Sequence, residues 1–122
     1  MNITLFSFGF KHGYPEADMV WDVRFLPNPY WVPELREHTG LEAPVAAYAL
    51  ENKTGRLFLK HFEPCLFFLL RSHKGAGRKE LILAVGCTGG RHRSVAVTDY
   101  LQKNIADTEF DLNVYHRDIT KK

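Results

Sequence analysis

The segment from Glu80 to Ile105 restricts the fold more than any other part of the chain. The run ELILAV at 80–85 leads directly into GCTGGRHRS at 86–94, and Val97, Leu101 and Ile105 then recur four residues apart. A short apolar run of this kind reads as a central strand buried on both faces, the habit of parallel sheets. The four-residue spacing reads as a helix over 94–106. A parallel neighbour requires a crossover, so the rest of the chain must supply further strands and the helices that cover them.

It does so in order. Residues 3–8, ITLFSF, and 19–25, MVWDVRF, read as strands, with Asp22 and Arg24 on one face of the second. Gly9 to Pro15 forms a shaped loop between them. Pro27, Pro29 and Pro33 bar LPNPYWVP from a helix interior or a central strand. A short helix is expected over 44–49, ended by a turn at 52–55. A longer one is expected over 56–72, with a stripe of Leu57, Phe58, Phe62, Cys65, Leu66, Leu69 and Leu70, kinked or divided by Pro64. Residues 73–79 form a basic loop, and 109–115, EFDLNVY, a last strand. The fold class is therefore α/β: a layered, largely parallel sheet flanked by helices, formed as a single domain over 1–122. The 86–94 turn falls at the carboxyl edge of a central strand, where open sheets bind ligands.

The residues of this turn suit an oxyanion. The first turn of a helix has free main-chain N–H groups and the positive end of the helix dipole. Gly89 and Gly90 allow close approach, Arg93 can grip two oxygens, and Thr88 and Ser94 offer hydroxyls beside Arg91 and His92. A turn built for packing alone has no use for two arginines, a histidine and two hydroxyls in seven positions. An enzymatic alternative uses the same residues. Cys87, Gly90, Arg93 and Ser94 fit C-x-x-G-x-x-R-S, the loop in which cysteine-dependent phosphatases place a catalytic thiolate and an arginine. Gly86 stands where that family has a histidine, and Asp18, Asp107 and Asp118 are the unsupported candidates for a leaving-group acid.

Four motifs extend the reading along the chain: FGFKHG (8–13 with its preceding strand), DVRFLPNPYW (22–31), the TG-L-E-x-PVAAY run (39–48) and GCTGGRHRSV (86–95). In this order they resemble the C-terminal domain of the RapZ, or YvcJ, family of RNase adapter proteins. The resemblance implies a phosphofructokinase-like α/β fold, binding of an amino-sugar phosphate such as glucosamine-6-phosphate, and a part in binding small RNA. It carries His12, Thr88, Gly89 and Arg93 onto the family's sugar-phosphate pocket. The family's full-length proteins also have a P-loop half, but no G-x-x-x-x-G-K-[ST] occurs in these 122 residues, so no ATP or GTP function carries over. The family's basic end is thin here: Arg117, Lys121 and Lys122, with Asp118 among them.

Other residues have plainer readings. Lys11 is a candidate second phosphate cation. Asn28 is either a ligand donor or a turn former. Asp22 and Arg24 are expected to pair structurally. Tyr30 and Trp31 are expected to anchor their loop, Phe58, Phe62, Phe67 and Phe68 to lie in the core, and Cys65 to be a buried small hydrophobe. Six histidines without ligand spacing predict no metal site, and no cofactor is expected. Net charge is only +2 overall, yet residues 71–93 hold Arg71, Lys74, Arg78, Lys79, Arg91 and Arg93 against Glu80 alone. This run, with Lys121 and Lys122, is a candidate RNA-backbone patch. Two cysteines and no apolar run of membrane length point to a cytoplasmic protein. The expected role is a sensor or adapter with a phosphorylated amino sugar as ligand, a small RNA or protein as further partner, no membrane, and room for oligomerisation.

Overall fold

The computed structural model describes residues 1–122. Four strands form one parallel sheet in the order β2-β3-β1-β4: β1 Asn2–Gly9, β2 Met19–Asp22, β3 Glu80–Cys87 and β4 Asp111–His116. The helices are α1 Ala43–Leu50, α2 Lys53–Gly75 and α3 Arg93–Ile105. β1 and β3 lie side by side at the centre, with Gly9 opposite Cys87 at their carboxyl ends.

Strand alternation sorts the side chains. Ile3 and Leu5 of β1 and Leu81, Leu83 and Val85 of β3 face the main core, where Ala49 and Leu50 of α1, Phe62, Leu66 and Leu70 of α2, and Val97, Leu101 and Ile105 of α3 meet them. All three helices thus cover one face. On the other face Phe6, Phe8 and Ala84 form a small cluster closed by Phe10 and Ala17 from the β1–β2 connection.

Three expectations need correction. β2 stops at Asp22 instead of running on to Phe25, because Asp22 Oδ1 accepts from the Arg24 N–H at 2.9 Å and Leu26 N donates to Val23 O at 3.2 Å, closing a turn. The long helix is neither short of residue 53 nor divided at Pro64: α2 is continuous over 23 residues. Pro64 sits on the exposed side, so water can solvate the carbonyl that loses its donor. Asn52 starts the helix, its Oδ1 accepting from Gly55 N at 2.8 Å. Finally, Cys65 and Phe68 are exposed, not core. The buried line on α2 is Phe62, Leu66 and Leu70, spaced by four. Residues 65 and 68 lie well off that line at about 100° per residue.

The Asp22–Arg24 pair forms as expected, with Arg24 Nη2 to Asp22 Oδ2 at 2.7 Å. The Arg24 guanidinium also lies over the Phe10 ring, 4.1 Å from its centre, tying the two loops at the carboxyl edge together.

Candidate anion-binding cleft

The site begins where β3 ends. From Thr88 to Val95 eight consecutive main-chain N–H groups donate to no protein acceptor; the first helical hydrogen bond is Ala96 N to His92 O at 2.9 Å. A helix start alone leaves only its first turn unpaired, so the loop contributes the rest. The bend depends on two glycines. Gly90 has φ +77°, a conformation that favours glycine. Gly9 must be bare because a Cβ there would sit 2.4 Å from the Gly89 carbonyl carbon. Lys11 N to Thr88 O at 3.2 Å and Gly9 N to Asp118 Oδ2 at 2.8 Å hold the β1 loop against this turn.

Asp118 is fully buried. Burial by itself would raise its carboxyl, but hydrogen bonds from Arg117, the Gly9 N–H and Lys121 outweigh that and hold it at about 2. It is therefore an anionic brace under the loop and cannot serve as an acid. Asp18 lies at the other end of the sheet, bonded to Ile82 N and paired with Arg78.

Arg93, the first residue of α3, is only 5% exposed. Its Nη1 donates to the carbonyls of Arg24 (2.6 Å) and Leu26 (3.3 Å), and Nη2 reaches Thr88 Oγ1 at 3.4 Å. Its Nε has no partner, and no carboxylate pairs with it. One edge of the guanidinium thus pins the proline-rich loop, while the Nε–Nη2 edge remains on the side of the turn. Arg93 does not turn away into an internal ion pair.

Above this turn opens a cleft of about 460 Å³. Lys11, Arg36, Arg91, Arg93, Lys121 and Lys122 line it against one carboxylate, Glu37. Of the residues expected at the site, Asn28, Thr88, Gly89, His92 and Arg93 line the cleft, as does Cys87. Three do not. His12 is half-buried on the single 3-10 turn Phe10–His12, with Nε2 unpartnered, outside the lining. Gly90 is packed behind the turn against Gly9. Ser94 is fully buried and bonds Cys87 Sγ at 3.1 Å. Asn28 caps its own turn, Oδ1 accepting from Tyr30 N at 3.2 Å. The His92 Nε2 lies 3.0 Å from Arg36 O; burial pushes this ring below the usual histidine range, so it is neutral near pH 7 and donates there.

Tyr30 and Trp31 are not loop anchors. They are 47% and 72% exposed at the cleft, and Pro29 and Leu26 are buried instead. Arg36 stacks over Tyr30 at 4.7 Å and donates to its carbonyl at 2.8 Å. Arg36 and Glu37 escaped the sequence reading because they lie in a turn-rich segment with no periodicity.

The basic 71–93 run is not one surface. Lys74, Arg78 and Lys79 precede β3, whereas Arg91 and Arg93 follow it. An eight-residue strand separates them by roughly 25 Å. Arg91 joins Lys121 and Lys122 at the cleft, while Arg78 pairs with Asp18 at 3.0 Å.

Together these features define a class: a parallel α/β domain with a cationic cleft over an array of unpaired amides at the carboxyl edge of its sheet. The family model described as RapZ C-terminal domain matches residues 1–120, and the chain belongs to that family. Similar proteins bear the name nucleotide-binding protein: one from Corynebacterium glutamicum is 51% identical over 98% of this chain, one from Geotalea uraniireducens 48% over 99%, and one from Bacillus thuringiensis 44% over 98%. The chain spans 40%, 42% and 41% of their respective lengths. No helix is long and apolar enough to cross a membrane.

Proposed function

We propose that the cleft binds a phosphorylated small molecule, an amino-sugar phosphate such as glucosamine-6-phosphate. In this reading the chain is a cytoplasmic metabolite sensor or adapter. The run of unpaired amides from Thr88 to Val95 carries the reading, because a helix start accounts only for the last of them and the loop before it holds the rest open beside a cationic cleft. The phosphate oxygens take those of these N–H groups that border the cleft and the Nε–Nη2 edge of Arg93, with Thr88 Oγ1 alongside. Lys11 and Arg91 supply further positive charge, and Asn28 and Tyr30 face the sugar. The one carboxylate of the cleft, Glu37, suits the sugar's ammonium group. The similar proteins' name, nucleotide-binding, belongs in this reading to the part of their length that the chain does not span. A small RNA or a protein is the downstream partner, and self-association is compatible with the role.

Titration calorimetry tests the reading. Glucosamine-6-phosphate should bind at least tenfold more tightly than glucosamine, and inorganic phosphate should compete. Equal affinity for the phosphorylated and the free sugar sinks it.

A further inference from the structure

We infer that Cys87 makes this anion site a phosphoryl-transfer centre for activated phosphate esters, acting through a phosphocysteine. The inference rests on the same anion site as the binding reading but asks more of it. Cys87 and Arg93 stand six residues apart at the two ends of one loop, the thiol at the end of β3 and the guanidinium at the start of α3. Both line the cleft. Ser94 Oγ lies 3.1 Å from Cys87 Sγ, buried where water does not compete for it. A second observation is independent of the thiol. Arg93 is only 5% exposed; its Nη1 is committed to two carbonyls, its Nη2 makes one long contact with Thr88 Oγ1 at 3.4 Å, and its Nε has no partner. A buried guanidinium whose Nε is unpartnered and whose Nη2 is held only by a long hydroxyl contact, set on an amide-lined turn, is a seat for a planar array of oxygens, such as the equatorial oxygens of a phosphoryl group in flight.

The chemistry balances in two steps. The Cys87 thiolate attacks phosphorus; an S–P bond forms and the ester P–O bond breaks, its electron pair leaving on the departing oxygen. Water then attacks phosphorus on the phosphocysteine; a new P–O bond forms, the S–P bond breaks, and sulfur keeps the pair with a hydrogen bond from Ser94. The water's proton ends on the departed oxide through solvent. One aryl or acyl phosphate and one water thus yield one phenol or carboxylic acid and one hydrogen phosphate, with the thiolate restored.

No acid in the cleft protonates the leaving oxygen. Glu37 is exposed and faces Lys122 at 3.5 Å, and His92 is tied to the Arg36 carbonyl. Only oxygens that depart as stable anions are released, as from aryl or acyl phosphates. A sugar phosphate, whose alkoxide is a poor leaving group, is held and left intact, so a transfer centre and a sensor share one seat.

The experiment uses the full chain with p-nitrophenyl phosphate, following nitrophenolate release, and with glucosamine-6-phosphate, following free phosphate. The wild type should turn over the aryl ester and leave the sugar ester intact. Cys87→Ser should lose aryl turnover by about a hundredfold or more while still binding inorganic phosphate. Ser94→Ala should give a burst of one equivalent of nitrophenolate followed by a slow phase, with phosphocysteine visible by mass spectrometry; this arm does not depend on the Cys87 variant folding. Turnover that persists in Cys87→Ser, or no turnover in a wild type that binds phosphate, overturns the transfer step and leaves the binding reading standing. Failure of the wild type to bind phosphate at all defeats both.

Discussion

Arg93 and Asp118 decide how the site works at the level of single residues. Arg93 both braces the proline-rich loop and offers an edge to the anion, so its removal has two costs. Arg93→Ala should weaken phosphate binding by more than tenfold in calorimetry. It should also lower stability by about 1–3 kcal/mol in urea melts, because the Arg24 and Leu26 carbonyls lose a buried charged donor. Arg93→Lys restores charge but cannot keep both roles, since one ammonium lacks the fork. Asp118 gives a pH signature. Its folded value of about 2 lies below the ordinary carboxylate value, so its stabilisation is fully present above about pH 4 and is lost as pH falls through 2. The shift corresponds to about 2 kcal/mol. Urea midpoints of wild type and Asp118→Asn should therefore differ at pH 7 and converge towards pH 2; a constant gap contradicts the assignment.

At the level of elements, α2 and the loop after β3 obey opposite rules. α2 tolerates Pro64 because its missing hydrogen bond falls on the wet side of a helix anchored by Phe62, Leu66 and Leu70. Pro64→Ala should raise stability by about 1–3 kcal/mol, read as a higher melting temperature, since the helix already runs unbroken through that position. The same exposure makes Cys65 the more accessible thiol. A thiol reagent in native buffer should modify Cys65 quickly and Cys87, 2% exposed at the floor of the cleft, more slowly. The pattern of ELILAV followed by GCTGGRHRS announced both the strand and the turn correctly, because short-range sterics and periodicity act within one segment. Cys65 and Phe68 were misplaced on α2 because a stripe of mixed three- and four-residue steps leaves several helix faces open. Which face is buried depends on what α1 and α3 present to it.

At the level of the whole molecule, the cleft draws its charge from four separate stretches of chain: Lys11, Arg36, the 88–93 turn and the last two lysines. This gives a test of the divided basic run. Replacing Lys121 and Lys122 by alanine should weaken phosphate binding and flatten its salt dependence, whereas Arg78→Ala with Lys79→Ala should change neither. The sequence by itself determined the parallel α/β class, the carboxyl-edge turn, and the place of Thr88, Gly89 and Arg93 on it, since each follows from residues within a few positions of one another. Only the tertiary structure decided that Arg36, Glu37, Tyr30 and Trp31 join that turn, that His12 does not line the cleft, and that the 71–93 run is split between two ends of the sheet. A strand turns neighbours in sequence into opposites in space, and loops from distant segments meet only once the sheet has set its strand order.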